Sequence, residues 1–216
     1  MLMGTSKRLS KVDKDLEIYY RETKINTTTS YKYLGTFLDS TLSLNDNFEK
    51  SYKKASSRMR LLHKLRKNLT EDAAHKVYSM MILPLVTYCS IAHLKLTTTQ
   101  SKKLQSLQQR ASTIISNNKK KAESPINFIN KHACVTVKKC LDKEICENYH
   151  DYFEVNQTMI RTRNQGFLLK IPKIRLESTK RAFYFSGAKL FNELPLDIRS
   201  ENNFNVFKKK ISSFYQ

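Results

Sequence analysis

Between residues 45 and 68, apolar side chains recur at Phe48, Tyr52, Ala55, Met59 and Leu62, spacings of four and three that an α-helix brings onto one side. That stripe must be buried, so the chain has to build a helical core around it. The opposite side is cationic. At about 100° per residue, Lys50, Lys53, Arg60, Lys64 and Lys67 fall together away from the stripe, and Lys54 and Arg58 add charge to the same helix. Acidic partners are sparse along it, whereas an ordinary solvated face mixes signs.

The stretch just before this helix, 31–44 (YKYLGTFLDSTLSL), marks a change of structure. Tyr31, Tyr33, Phe37 and Leu38 make a strand-like run, and Asp39-Ser40-Thr41 supplies turn chemistry. Gly35 interrupts the run, which is the mark of a bulge or of close approach by a ligand or another backbone. Met1-Leu2-Met3, 16–20 and 23–26 read as further short strands of a small antiparallel sheet. A strand that opens a chain is expected to have had neighbours before it.

After residue 68 the pattern stays helical. Thr70 caps a helix with Glu71 and Asp72 in its first turn. Residues 73–93 are apolar almost all round, which predicts two buried pieces meeting at Pro84. Thr97–Thr99 cap a third helix with a stripe of Leu104, Leu107, Ala111, Ile114 and Ile115. Residues 117–124 (NNKKKAES) read as a linker. Beyond them Pro125 opens a helical region striped by Val137, Leu141, Ile145, Tyr149 and Tyr152, then a loop at 156–166, a strand at 167–171 and short helices at 183–190 and 204–214. The expected fold is α+β, mainly α: a small partial antiparallel sheet at 1–44, a helical bundle at 45–116, a linker at 117–124 and a mixed C-terminal region at 125–216.

With 39 Lys and Arg against 19 Asp and Glu, the 216-residue chain carries a formal charge of +20. So large an excess points to a polyanionic partner, most directly nucleic acid. Besides the helix from Asn45, the charge sits at Lys102-Lys103, at 119–121 and at Arg161-x-Arg163, a footprint suited to phosphate backbone. No apolar region follows Met1 as in a signal peptide, and no stretch is long enough to span a membrane, so an intracellular protein, not secreted and without a membrane partner, is expected. The four cysteines then read as thiols.

The candidate catalytic groups are weak. Asp13-Lys14-Asp15 has no apolar strand beneath it, and Glu71-Asp72 is explained as a helix start. His132 and Cys134 with Cys140 and Cys146 lack the C-x(2 to 4)-C pairing of structural zinc and read as residues packed on a helix. Four glycines leave no room for a glycine-rich phosphate loop. No catalytic residue, metal site, cofactor or small-molecule substrate is expected in this chain.

The order MLMGT, a strand pair, YKYLGTFLDSTLS, a basic helix, LPLVTYC and LQSLQQRASTII resembles the end of the palm and the thumb of reverse transcriptases from LINE-type (non-LTR) retrotransposons. The closing RAFYFSGAKLFNELPLDIRSENNFNVFKKKISSFY resembles the tail after the thumb in the Jockey-type groups. The resemblance implies that Tyr33, Leu34 and Gly35 lie in a hairpin that grips the primer end. It also implies that the helix from Asn45 holds an RNA or RNA/DNA template-primer duplex. In that family a Tyr-x-Asp-Asp motif, which binds Mg²⁺, precedes the strand at which this sequence starts, so the chain is expected to be the duplex-holding part of an RNA-directed DNA polymerase and not to polymerise alone. The family commonly has tryptophan where Phe191 stands, and this chain has none. A non-catalytic nucleic-acid-binding module and a truncated relic without a role are the other readings.

Overall fold

The structure is a computed structural model that describes residues 1–12, 17–156, 167–175 and 179–215. The described residues form nine α-helices and two two-stranded antiparallel sheets, an α+β chain that is mainly α, as the sequence predicts. Contacts divide it into two compact units, Met1–Ala55 and Ser56–Gln216.

In the first unit Thr5 caps a short helix, α1 (Ser6–Leu9), its hydroxyl accepting from the Arg8 amide at 3.4 Å. Two hairpins follow, β1 (Ile18–Tyr20) with β2 (Thr23–Ile25) and β3 (Ser30–Tyr33) with β4 (Thr36–Asp39). They stand in place of the single sheet expected. The first is only three pairs long and exposed throughout, so it has no buried face to lay against a neighbour. Met1-Leu2-Met3 is not a strand either, and the Gly4 amide instead donates to the Ser40 carbonyl at 2.9 Å.

Asp39 carries the chain from β4 into α2 (Asn45–Leu65). Its carboxylate accepts the amides of Thr41, Ser43 and Leu44 at 3.2, 3.1 and 2.8 Å, together with the Thr41 hydroxyl. These bonds hold Leu42 and Leu44 at φ values of 51° and 57°, a left-handed conformation that leucine resists. Burial raises the Asp39 pKa, but the hydrogen bonds from Thr41, Ser43 and Leu44 outweigh it and hold the carboxyl at about 2, below the ordinary 3.8. Buried Asn47 then accepts the Phe37 amide at 3.0 Å, tying the first turn of α2 to β4. Residues 45–55 of the helix therefore group with the hairpin in the first compact unit.

The stripe on α2 is buried as its spacing predicts. Phe48, Ala55, Met59 and Leu62 are 5% exposed or less. In the second unit α2 ends in a 3-10 turn, Arg66–Asn68, and Thr70 caps α3 (Glu71–Val77) by accepting from the Ala73 amide at 3.2 Å. The helix does not break at Pro84. It widens into a π turn, Tyr78–Ile82, with the Leu83 amide donating to Tyr78 five residues back, and continues as α4 (Leu83–Thr87). A proline lacks the N–H and crowds the carbonyl four residues before it, and the wider turn relieves both faults. Tyr78, Ile82 and Leu83 point inward, while Met80 and Met81 are 73% and 51% exposed, so the segment is not apolar-buried all round as expected.

A capping box of Thr97 and Gln100 starts α5 (Thr98–Ser116), whose Leu104, Leu107, Ala111 and Ile115 are buried. Arg66 closes its other end. The guanidinium donates to the carbonyls of Ile114 and Ile115 at 2.8 Å and to that of Leu69 at 2.7 Å, satisfying groups a helix terminus leaves open. The segment 117–124 is held to this bundle. Ala122 is buried, its amide donates to the Ser112 hydroxyl at 2.8 Å, and the Tyr78 hydroxyl donates to the Glu123 carbonyl at 2.8 Å. The polar letters hid one small apolar anchor and several backbone partners.

Ser124 and Pro125 begin α6 (Pro125–Leu141). Its second half packs with α7 (Phe183–Asn192), α8 (Leu196–Arg199) and α9 (Phe204–Phe214) around Val137, Phe191, Phe207 and Ile211. Gly187 allows the approach of α7 to α6, since a Cβ there would lie 3.1 Å from a Val137 methyl. Asn192 accepts the Leu169 amide at 2.8 Å and donates to its carbonyl at 2.9 Å, so 167–171 is held by a side chain and by one β-bridge to Val155, not as a full strand. The helix ends at Leu141, and the expected stripe stops with it. Tyr149 and Tyr152 lie in a 3-10 turn, 40% and 44% exposed. No helix among the described residues is long and apolar enough to cross a membrane.

Two outcomes test these ties. Arg66→Met leaves carbonyls of α5 and Leu69 without their charged donor, which is expected to destabilise the second unit by about 2–4 kcal/mol and lower its thermal midpoint by several degrees. Arg66→Lys is expected to restore little, because one ammonium cannot reproduce the fork. Asp39, with its pKa depressed, stabilises the first unit above about pH 4 and loses that contribution as the pH falls through about 2. Asp39→Asn is expected to lower stability at neutral pH and to flatten the acid limb of a denaturation profile followed by circular dichroism.

Candidate nucleic-acid interface

In the first unit the β3–β4 hairpin turns through two residues, Leu34 at φ 45° and Gly35 at φ 84°. Two successive positive φ values match the twist of an antiparallel pair, and Gly35 takes its share at no steric cost. The glycine read as a bulge is the second corner of this turn. Leu34 is the unexpected member, a leucine in the left-handed region and 76% exposed. Tyr31 and Tyr33 lie beside it, 58% and 57% exposed, on the face of the hairpin that Leu38 and Thr36 share. The other face carries Lys32 opposite Phe37. Lys32 Nζ lies 6.0 Å and Lys50 Nζ 3.5 Å from the centre of the Phe37 ring. Two ammonium groups are thereby drawn to one aromatic ring.

Lys50, Lys53 and Lys54 are exposed on the part of α2 that belongs to this unit. In the second unit Arg60, Lys64 and Lys67 are exposed, Lys67 on the 3-10 turn past the end of the helix. None of Lys53, Lys54, Arg60, Lys64 and Lys67 has a carboxylate partner among the described residues. Arg58 is exposed as well, but its Nη1 donates to the Met81 carbonyl at 2.8 Å and so braces the π turn. Arg161 and Arg163 lie outside the described residues, as do Asp13 and Asp15.

Arg66, on the 3-10 turn that follows α2, is the structural cation that charge counting alone passes over. The signal was present: it stands four residues after Leu62, on the line of the buried stripe, where a basic residue must turn inward. Some cations elsewhere are locally matched. Buried Lys138 pairs with Asp142 at 2.9 Å, Lys170 with Glu154 at 3.1 Å and Lys120 with Glu71 at 3.8 Å.

Glu71 and Asp72 occupy the first turn of α3, the place read for them. Cys134 and Cys140 are buried in the core of the second unit, and burial pushes the Cys134 thiol up to about 12, so it holds its proton too firmly for easy metal ligation. Cys146 is exposed and apart from them in the chain. Among the described residues no three of His, Cys, Asp and Glu gather where a metal ion would sit.

A scan against family models found no match to this chain, and neither the characterised proteins nor the solved structures compared with it gave one.

Proposed function

We propose that the chain is the duplex-holding part of an RNA-directed DNA polymerase of the LINE (non-LTR) retrotransposon type, with the β3–β4 hairpin gripping the primer end and α2 acting as the thumb helix along the template-primer backbone. The observation that carries the reading is Leu34. A bulky apolar residue at the tip of a hairpin, exposed and held at positive φ, is unfavourable for folding on both counts, and such residues persist where a ligand uses them. The flanking tyrosines give sugar or base contacts, and Lys32 and Lys50 at the Phe37 ring give a phosphate site. The sequence has no Tyr-x-Asp-Asp motif, so the role proposed is holding the duplex and not the chemical step. Mg²⁺ belongs, in this reading, to the carboxylates of the catalytic site.

Binding of an RNA/DNA hybrid to the 216-residue chain is expected to weaken steeply with salt. Changing Lys53, Arg60, Lys64 and Lys67 together to Gln is expected to reduce the slope of log K against log salt by about 3–4, close to one ion released per lost contact. An unchanged slope would overturn the assignment of α2. Leu34→Asn separates grip from fold. Asparagine tolerates the left-handed corner better, so the variant is expected to be as stable as the parent or more so, yet to lose its preference for a recessed primer end over a blunt hybrid. If that preference survives, the hairpin is not the grip.

A further inference from the structure

Within the second unit, α3, α5, the segment 117–124, the start of α6 and the end of α9 enclose a cavity of about 580 Å³. That volume suits a small organic ligand better than a single ion. Three kinds of group line it. The first is cationic: Lys131 is half-buried and Lys121 exposed, and neither has a carboxylate partner among the described residues. Glu123 is the one acid in the lining, and it is exposed. Both ammonium groups are therefore available to an anion.

The second group is a pair of fixed acceptors. Gln108 Nε2 donates to the Ala122 carbonyl at 3.0 Å, and Asn127 Nδ2 donates to the Tyr215 carbonyl at 3.1 Å. A carbonyl only accepts, so each bond fixes which end of the amide is nitrogen. The two amide oxygens, on half-buried side chains, have no donor among the described residues. The third is the Phe128 ring. His132, which does not line the cavity, stacks on that ring at 4.8 Å and 22° and backs it from outside.

These groups together discriminate between ligands. A bare phosphate or a carboxylate answers the lysines and leaves the ring and both acceptors unused. Phosphotyrosine brings a ring and a phosphate but no hydrogen-bond donor on the ring. A base with an exocyclic amino group, joined to a phosphate, answers all three: the base has a face to stack, the amino group donates, and the phosphate takes the ammonium groups. Uracil fits less well, because its one N–H lies between two carbonyls that the amide oxygens would repel.

We infer that this cavity binds a nucleoside monophosphate unit with an amino-bearing base, the base against Phe128, its amino group donating to the oxygens of Gln108 and Asn127, and its phosphate at Lys121 and Lys131. The unit is a free nucleotide or an unpaired nucleotide of a strand. The site shares no residue with the hairpin or α2, and the inference does not rest on duplex holding.

The test uses the full chain and AMP with an N-methylanthraniloyl fluorophore on its ribose, followed by fluorescence anisotropy. Saturable binding is expected, with AMP and CMP competing about tenfold better than UMP, adenosine, inorganic phosphate or O-phosphotyrosine. Phe128→Leu removes the stacking face and keeps an apolar side chain. Lys121→Gln with Lys131→Gln removes the charge. Each is expected to weaken AMP about tenfold with helix content by circular dichroism unchanged, and the lysine pair also to erase the advantage of AMP over adenosine, which a general loss of structure would not do selectively. Hybrid binding is expected to persist in the Phe128→Leu variant. The chain with Lys53, Arg60, Lys64 and Lys67 changed to Gln is expected to keep AMP binding, so the two sites fail separately. Hexaadenylate competing better than AMP would name a strand as the source, and the reverse a free nucleotide; either result supports the site. UMP, phosphate or O-phosphotyrosine competing as well as AMP, or AMP binding unchanged in both variants, would overturn the inference.

Discussion

The guanidinium of Arg66 holds together three pieces of chain that would otherwise end in open carbonyls. It sits at the close of the α2 stripe, where the next inward position would ordinarily be apolar, and it bonds Leu69 and the last turn of α5. A charged donor in this place satisfies groups that neither helix can satisfy itself, and truncating it would leave them bare in a partly buried site. The position of α5 against the later half of α2 follows from that tie.

The helix α2 and the 3-10 turn that follows it show two fates for positive charge. Arg66 and Arg58 are turned to backbone carbonyls, one closing a helix and the other bracing the π turn that lets the chain run through Pro84. Lys53, Lys54, Arg60, Lys64 and Lys67 have no such work within the described residues. A formal charge of +20 disfavours a compact state through self-repulsion, and a chain that keeps cations in excess on one helix pays for them unless an anionic partner is bound. Lys32 and Lys50 at the Phe37 ring repeat the pattern on the hairpin.

Much of this was legible in the letters, because local rules governed it. The α2 stripe, the Thr70 cap, the Thr97 start of α5 and the two short helices at 183–190 and 204–214 follow from spacing and capping chemistry alone. The hairpin at 30–39 was legible as extended chain, but the role of Gly35 was not, since a bulge and a two-residue turn share the same residue preference until the strand register is known. Met1-Leu2-Met3 misled because three apolar letters say nothing of a ladder partner. The segment 117–124 misled for the opposite reason: its partners, Ser112 and Tyr78, are hydroxyls brought there by other helices.

The sequence by itself determined the fold class, the course of α2 and the excess of cations along it, because periodicity, caps and charge are properties of a few neighbouring residues. Tertiary structure decided which of those cations are available. Angles around a helix separate inside from outside, but Arg58 and Arg66 are withdrawn by carbonyls of Met81, Ile114 and Ile115, which lie far along the chain and come within 3 Å only when the bundle closes. Tertiary structure also gave Leu34 its exposed left-handed corner. Those features depend on register and on contacts between distant segments, which no local pattern encodes.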